Sequence, residues 1–324
     1  GMGKCCVSGA GAINVDYKAR TVEIDGIVLK EGDFISINGT TGEVYNGKVE
    51  TKAAEVSGDF ADLMALCEKH TKLVVRTNAD TPHDAKVARD FGAVGIGLCR
   101  TEHMFFEAEK IVAMREMILS PDAEGRKKAL AKLLPYQKAD FYGIFKAMDG
   151  CPVNVRLLDP PLHEFVPHDA KGQEEMAAAM GVSVQTIKQR VESLCEANPM
   201  LGHRGCRLGN TYPEITEMQT RAILGAAIQL KKEGGDPHPE IMVPLTGILY
   251  EFEAQEKVIR ATAAELFAEE GIEIPFKVGT MIEIPRAALT ANRIASRAEY
   301  FSFGTNDLTQ MTFGYSRDDI ATFL

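Results

Sequence analysis

The sequence contains no long apolar run and no long run of basic residues. No segment approaches the roughly 18 consecutive apolar residues that a transmembrane helix requires, and no signal peptide is recognised. The net charge of −10 argues against a general affinity for nucleic acids. With 45% hydrophobic and 25% charged residues, the composition is ordinary for a globular protein. We therefore expect neither a nucleic-acid partner nor a membrane partner.

Disulfide and nucleotide-binding motifs are also missing. The seven cysteines form an odd number without any C-x-x-C spacing, in a chain of 324 residues that is large enough to need no disulfides. Free, mostly buried thiols in a reducing cytoplasm fit this pattern best. Residues 9–11 and 95–97 are bare G-x-G matches, without a complete Rossmann fingerprint or P-loop. No ATP site is therefore expected within this chain.

The first fifty residues differ in character from the rest. Glycines alternate there with short runs of β-forming residues at 21–24, 27–29, 34–37 and 44–45. Short β-forming runs separated by glycines are typical of strands joined by turns and hairpins. We predict a small β-rich segment over residues 1–50, followed by a helix over 51–71 that links it to the next domain.

From residue 72 to 324 the pattern alternates between strands and helices, which implies a parallel sheet. Ser120 and Ser183 are predicted to cap two of the helices. A (β/α)8 barrel of the TIM type is the leading architecture, with a doubly wound open sheet as the alternative. Because only seven strands are found, we expect the barrel to lack its eighth strand and helix. The strand candidates are Leu73–Arg76, Val94–Leu98, Val153–Leu157, Met200–His203 (weak), Ile241–Pro244, Phe276–Ile284 and Tyr300–Phe303.

Two acidic residues follow predicted strands near the end of the chain. Glu283 ends the run GTMIE, and Asp307 ends the run SFGTND. Ligands bind at the carboxyl ends of parallel strands, and carboxylates are ligands that Mg²⁺ and Mn²⁺ prefer. The pair therefore predicts a metal site. The alternative is structural: Glu283 caps a turn, and Asp307 is the N-cap of a helix that starts at Leu308.

Three arginines also fall at or just after predicted strand ends, namely Arg100, Arg156 and Arg204. The planar, permanently charged guanidinium suits phosphate or carboxylate groups. Each could instead pair with a neighbouring acid, Glu102 for Arg100 and Asp159 for Arg156. Three such arginines on the face that holds the two acids favour an anionic, phosphorylated ligand beside the metal.

The turn Gly304, Thr305, Asn306 and Asp307 adds further donors to this face. Its backbone N–H groups lie where a strand gives way to a helix, which suits a carboxylate or phosphate. The amide of Asn306 could donate to the same group. Met281 points to the same side of its strand as Glu283, so it either packs against a small apolar ligand group or belongs to the core.

Five runs in the sequence resemble the pyruvate, phosphate dikinases, a group within the phosphoenolpyruvate-utilising enzymes. The resemblance covers essentially the whole chain. The segments LLDPPLHEF and HRGCRLG favour this group over phosphoenolpyruvate synthase and enzyme I of the sugar phosphotransferase system. The five runs lie at residues 95–106, 153–165, 198–208, 279–289 and 302–311.

The resemblance implies a role for each candidate residue. Arg100 and Arg156 would bind the transferred phosphoryl group, and Arg204 would assist them. Glu283 and Asp307 would hold Mg²⁺ against the carboxylate and enolate oxygens of pyruvate. The turn at 304–307 would cradle the carboxylate, and Met281 would line the same site.

The resemblance also implies what this chain lacks. The family converts ATP, phosphate and pyruvate to AMP, diphosphate and phosphoenolpyruvate through a phosphohistidine. That histidine, the general-acid cysteine and the ATP-grasp domain are all expected outside this chain, so no catalytic residue is assigned within it. Residues 1–50 would be the tail of the swivelling phosphohistidine domain, and residues 72–324 the phosphoenolpyruvate/pyruvate-binding barrel.

We expect the isolated chain to be inactive, and a homodimer to form through the barrel. The alternatives are a phosphoenolpyruvate synthase, a metal-dependent pyruvate lyase or aldolase, and a non-catalytic binding remnant.

Overall fold

The structure, a computed structural model, describes residues 6–7, 9–11, 13–51, 58–317 and 320, without the side chains of residues 108 and 109. The chain divides into two compact units, Gly1–Leu66 and Cys67–Leu324. All of the candidate site residues belong to the second unit, so the site is described within that unit alone.

The first unit contains two small antiparallel sheets, which confirms the predicted β-rich segment. One has three strands: β1 (Asn14–Asp16), β2 (Thr21–Ile24) and β3 (Ile27–Lys30). The other has two: β4 (Ile35–Asn38) and β5 (Glu43–Asn46). Asp25 and Gly26, with φ of 49° and 79°, form the two-residue turn between β2 and β3. Asp-Gly suits such a turn because both positions need a positive φ.

The predicted linker helix corresponds to helix α1 (Asp59–His70), which has no buried residues. Residues 52–57 of the predicted range lie outside the described residues. The apolar side chains of α1 are exposed in the described structure; Phe60 and Leu63, for example, are each 54% exposed.

The second unit is built on six parallel strands: β6 (Thr77–Asn78), β7 (Ile96–Arg100), β8 (Pro152–Arg156), β9 (His238–Val243), β10 (Lys277–Ile282) and β11 (Phe301–Phe303). Their order across the sheet is the order along the chain, from β11 through to β6. A doubly wound sheet reverses its strand order part-way, whereas a (β/α) barrel does not. The predicted barrel-type α/β fold is therefore confirmed, and the doubly wound alternative is wrong.

Helices follow every strand of this sheet. They are α2 (Pro82–Asp90), α3 (Ala108–Leu119), α4 (Ala123–Ala147), α5 (Ala170–Met180), α6 (Val184–Leu194), α7 (Gly205–Thr211), α8 (Pro213–Lys232), α9 (Leu249–Glu270), α10 (Pro285–Leu289), α11 (Ala291–Ile294) and α12 (Thr305–Phe313). Short 3₁₀ helices occupy Thr101–Phe105, Leu162–Phe165 and Pro199–Leu201. Within the described part of the chain, no helix is long and apolar enough to cross a membrane.

Two of the predicted strands are wrong. The segment Met200–His203 forms no strand, because Pro199 begins a 3₁₀ helix there and α7 follows shortly afterwards. The run Leu73–Arg76 lies just ahead of β6, and its first three side chains are 69–83% exposed. The described sheet therefore contains six strands where the sequence pattern indicated seven.

The two predicted helix caps have different outcomes. Ser183 is the N-cap of α6, since its hydroxyl accepts the N–H of Thr186 at 3.1 Å, as predicted. Ser120 instead ends α3: its hydroxyl donates to the carbonyl of Glu116 at 2.7 Å. The N-cap of α4 is Asp122, whose carboxylate accepts the N–H of Gly125.

The main core lies between the sheet and its helices. Helices α4 and α8 pack against each other. Alternate side chains of the central strands, such as Val153 and Val155 of β8, are fully buried and belong to the same apolar cluster as Phe141 of α4 and Ile223 of α8. The intervening residue Asn154 instead contacts polar neighbours, accepting the hydroxyl of Tyr300 at 3.0 Å. In β8 the two valines thus face the helices, and Asn154 faces the other side of the sheet.

The cysteines are only partly as predicted. All six within the described structure are free thiols. Half of them are buried and half exposed, so the prediction of mostly buried thiols is too strong. The buried ones are Cys99, Cys151 and Cys206, and the exposed ones are Cys6, Cys67 and Cys195.

Candidate active site at the carboxyl ends of the strands

Glu283 lies directly after β10 and is the most enclosed of the candidate acids, with 2% of its surface exposed. Its Oε1 accepts the backbone N–H of Leu245 at 2.6 Å. Leu245 follows β9 and adopts a left-handed backbone with φ of 58°, a conformation that costs a leucine free energy. Glu283 therefore does cap a turn, as its structural alternative proposed. Because this bond uses one carboxylate oxygen, the other is left for a different partner.

The second carboxylate oxygen of Glu283 faces Gly304, at the end of β11. A Cβ added to Gly304 would lie 2.4 Å from Oε2 of Glu283 and 2.9 Å from the sulfur of Met281. Only glycine fits at this position without displacing the acid. Met281 is 5% exposed, so it forms the buried wall beside Glu283, as both readings of this residue allow.

The surroundings of Glu283 raise its pKa to about 8. Burial is the largest cause, and the negative charges of Asp159 and Asp307 add to it. The N–H of Leu245 and the charge of Arg156 oppose this increase without cancelling it. Negative charge is thus crowded at this point, and a bound cation would offset it.

Asp307 lies in the first turn of α12, which begins at Thr305 with Gly304 as its N-cap. The alternative in which Asp307 caps a helix starting at Leu308 is therefore wrong. The Oδ2 of Asp307 accepts from Nη2 of Arg204 at 3.2 Å. This contact connects the carboxyl end of β11 to the loop before α7.

Asp159 is shared by two of the predicted arginines. Its Oδ2 lies 3.0 Å from Nη1 of Arg156 and 2.7 Å from Nη2 of Arg204. Arg156 also donates to Glu102. Burial alone would lower the pKa of both arginines, but their neighbouring carboxylates, Asp159 foremost, raise it. Both arginines therefore keep their charge, although they are largely enclosed.

The alternative in which Arg100 pairs with Glu102 is wrong, because Glu102 binds Arg156 instead. Arg100 lies at the end of β7 and is held by Asp80, which follows β6. The carboxylate of Asp80 accepts the backbone N–H of Arg100 at 2.7 Å and lies 3.9 Å from its Nη1. The side chain of Arg100 is 35% exposed, more than twice the exposure of Arg156 or Arg204.

The turn after β11 contributes the remaining candidates. Thr305 and Asn306 are exposed, at the start of α12. The side-chain oxygen of Asn306 accepts from the guanidinium of Arg317. With its oxygen occupied in this way, the amide of Asn306 presents its NH₂ group as a donor for an anion.

The structure thus brings Arg156, Arg204, Glu283 and Asp307 around one carboxylate, that of Asp159. Motif reasoning assigned Asp159 only as a salt-bridge partner of Arg156, and it assigned Asp80 no role at all. The position of Asp159 three residues after the end of β8, in LLDPP, is the signal that could have identified it. For Asp80 the strand signal is weak, since β6 is only two residues long.

The donor set fits a small, hard cation. Among the described residues, no group of three or more histidine, cysteine or acidic side chains is arranged to hold a metal ion. Mg²⁺ does not require one, since it usually retains several waters and binds through one or two carboxylates together with substrate oxygens. Glu283 and Asp307 match that requirement, and the charges of Asp159 and Asp307 contribute, after burial, to the raised pKa of Glu283.

Comparison with known proteins decides the family. Residues 54–322, more than four fifths of the chain, match the family model described as PEP-utilising enzyme, PEP-binding domain. The chain belongs to this family. Over its full length it is 57% identical to pyruvate, phosphate dikinase of Giardia intestinalis and 55% identical to that of Clostridium symbiosum. It is also 55% identical to the chloroplastic pyruvate, phosphate dikinase of Flaveria pringlei.

The chain spans 34–37% of the length of those relatives. Among solved structures, 2,3-dimethylmalate lyase, a member of the PEP mutase/isocitrate lyase superfamily, matches with 12% identity and a TM-score of 0.23. That match covers 81% of this chain and 86% of the lyase chain. The family assignment therefore depends on the sequence comparisons.

Proposed function

We propose that this chain is the phosphoenolpyruvate/pyruvate-binding part of a pyruvate, phosphate dikinase. The observation that supports this most directly is the convergence of two arginines and two acids around Asp159, at the carboxyl ends of the strands. Positive groups for a phosphoryl unit and carboxylates for a metal then lie side by side. A phosphorylated three-carbon acid needs both.

In this proposal the arginines bind the phosphoryl group. Arg156 and Arg204 are largely enclosed, charged and held by Asp159, so they lose little conformational entropy on binding. Arg100 is more exposed and completes the set from the neighbouring strand. Guanidinium groups in such a site stabilise the charge of a phosphoryl group during its transfer.

Glu283 and Asp307 would hold Mg²⁺ in the same proposal. A Mg²⁺ ion held there would supply positive charge that stabilises a developing enolate. The chain's own contribution is orientation: Leu245 fixes Glu283, and Arg204 fixes Asp307. The backbone N–H groups of the turn at 304–307 and the amide of Asn306 would bind the ligand carboxylate.

The sequence resemblance assigns the phosphate-carrying histidine and the ATP site to other domains. We therefore expect this chain to bind ligand without completing the dikinase reaction by itself. The homodimer through the barrel and the cytoplasmic location stay predictions.

The test is a calorimetric titration of the chain with oxalate, which mimics the enolate of pyruvate, in the presence and absence of Mg²⁺. We expect binding that requires Mg²⁺ and is lost in Glu283→Ala. Glu273→Gln is the matched control, because Glu273 is exposed in the loop between α9 and β10. Mg²⁺-dependent oxalate binding that survives in Glu283→Ala would contradict the metal assignment.

A further inference from the structure

Asp80 connects the first two strand ends of the sheet. Its side chain is only 15% exposed. One carboxylate oxygen accepts the backbone N–H of Arg100 at 2.7 Å. The other lies 2.7 Å from Nδ1 of His103, in the 3₁₀ helix after β7. Both oxygens of Asp80 are therefore engaged at the point where Arg100 leaves the strand.

The guanidinium of Arg100 stays apart from this carboxylate. Its Nη1 lies 3.9 Å from Oδ2 of Asp80, close enough for attraction and too far for a hydrogen bond. Within the described part of the chain it makes no side-chain hydrogen bond, whereas Arg156 and Arg204 both do. Arg100 is thus the arginine of the three whose hydrogen-bond donors are available to a ligand.

The ring of His103 explains why Arg100 does not close onto Asp80. A carboxylate only accepts hydrogen bonds, so Nδ1 of His103 must be the donor at 2.7 Å. The ring lies against Oδ2, which is also the oxygen closest to the guanidinium of Arg100, and competes with Arg100 for it. Without the ring, the guanidinium of Arg100 could move onto Oδ2, and its donors would turn away from the ligand.

We propose that His103 and Asp80 are positioning residues that keep the guanidinium of Arg100 free, but aligned, for the phosphoryl group of the ligand. The inference rests on the proposed function, because it assigns the phosphoryl group to Arg100. Asp80 fixes the backbone of Arg100 and attracts its guanidinium, while His103 blocks a closed pair between them. His103 and Asp80 thus affect the affinity for the phosphoryl group of the ligand and do not affect the binding of its carboxylate.

The test compares two ligands that share one half of the site. Phosphoenolpyruvate needs both the arginines and the metal-binding acids, whereas oxalate needs only the acids. We expect His103→Ala to weaken phosphoenolpyruvate binding by about tenfold, through loss of an available charged donor, and to leave oxalate binding unchanged. His103→Asn keeps a donor near the position of Nδ1, so it should restore most of the phosphoenolpyruvate affinity.

A second variant and a control separate positioning from folding. Asp80→Asn keeps an acceptor for the N–H of Arg100 but removes the charge, so it should also weaken phosphoenolpyruvate selectively. Asp84→Asn is the matched control, since Asp84 is exposed four residues away and does not contact Arg100. Thermal unfolding of every variant reports whether the fold is intact.

The outcomes distinguish the two proposals. If the unmodified chain binds neither oxalate with Mg²⁺ nor phosphoenolpyruvate, the proposed function is contradicted and this inference falls with it. If it binds both, and His103→Ala binds phosphoenolpyruvate as tightly as before, the inference alone is overturned. Equal weakening of both ligands would also overturn it, because a general loss of structure would explain that result.

Discussion

Gly304 lies so close to Glu283 that the space for a single methyl group is missing between them. The nearest atoms to an added Cβ would be Oε2 and Cβ of Glu283, at 2.4 and 2.6 Å. The end of β11 is therefore fitted against the acid at the end of β10. The absence of a side chain at residue 304 is what allows both strand ends to contribute to one site.

Gly304→Ala should abolish Mg²⁺-dependent oxalate binding, because the new methyl group must displace the carboxylate of Glu283. We expect a loss of at least about tenfold in affinity, the scale typical of displacing a well-placed charged ligand. Gly225→Ala is the control: its Cβ would meet Lys138 at an ordinary 3.4 Å, inside helix α8. Unchanged oxalate affinity in Gly304→Ala would mean that Glu283 does not contribute to the site.

Glu283 should make the metal-free chain less stable as the pH rises. Its pKa is about 8 in the folded state, against an ordinary value of 4.5. Between these values the folded state binds more protons than the unfolded state, so stability falls with pH by at most roughly 1.4 kcal/mol per pH unit. Glu283→Gln cannot ionise and should lose this component.

Urea unfolding of both proteins between pH 5 and 9, without divalent cations, checks this prediction. The difference between their free energies of unfolding should shift in favour of Glu283→Gln as the pH rises from 5 to about 8, and should level off above 8. Glu273→Gln should follow the unmodified chain throughout. Parallel pH profiles for the unmodified chain and Glu283→Gln would contradict the raised pKa.

Asp159→Asn should destabilise the chain and also change the titration of Glu283. The substitution leaves Arg156 and Arg204 without their shared carboxylate, and breaking such a buried pair costs about 3 kcal/mol or more. It also removes the charge that, after burial, does most to raise the pKa of Glu283. The pH dependence described above should therefore move to lower pH.

The measurement is the same urea series, repeated on Asp159→Asn. Asp90→Asn is the control, since Asp90 is exposed and its ion pair within the described part of the chain is with Lys86 on its own helix. If Asp159→Asn unfolds at the same urea concentration as Asp90→Asn, the two arginines do not depend on Asp159.

Cys206 should resist thiol reagents in the native protein. Burial raises its pKa to about 12, with the charge of Glu251 adding to the effect. Its thiol donates to the carbonyl of Leu245 at 3.1 Å. Reaction with iodoacetamide at pH 8, followed by peptide mass spectrometry, should label exposed Cys195 and leave Cys206 unlabelled until urea is added. Rapid native labelling of Cys206 would contradict its burial against Leu245.

The parts of the site that could be predicted from sequence are the residues at the carboxyl ends of strands. Glu283 and Arg156 follow apolar runs that do form strands, and both reach the same end of the sheet. A period of two along a strand also placed Met281 correctly on the side of Glu283. These inferences needed only local pattern and the rule that parallel strands share a carboxyl edge.

The parts that could not be predicted depend on contacts between distant segments. Which acid pairs with which arginine is decided by the three-dimensional arrangement: Glu102 is the sequence neighbour that could pair with Arg100, but it binds Arg156. The strand at 200–203 failed for a local reason: a short apolar stretch has no decisive period, and Pro199 favours a helical start. The left-handed backbone at residue 245 is occupied by a leucine, so no glycine at that position indicates it in the sequence. The hydrogen bond to Glu283 stabilises this unfavourable conformation.

The sequential strand order has a consequence for synthesis. Since each strand pairs with the one before it, the sheet can extend strand by strand as the chain leaves the ribosome, and most pairings need only moderate loop closure. Arg156 then emerges about 150 residues before Asp307. Glu102 and Asp159 emerge close to it and can neutralise its charge throughout that interval. The acids that hold the arginines in the finished site thus also protect a growing chain from burying an unpaired cation.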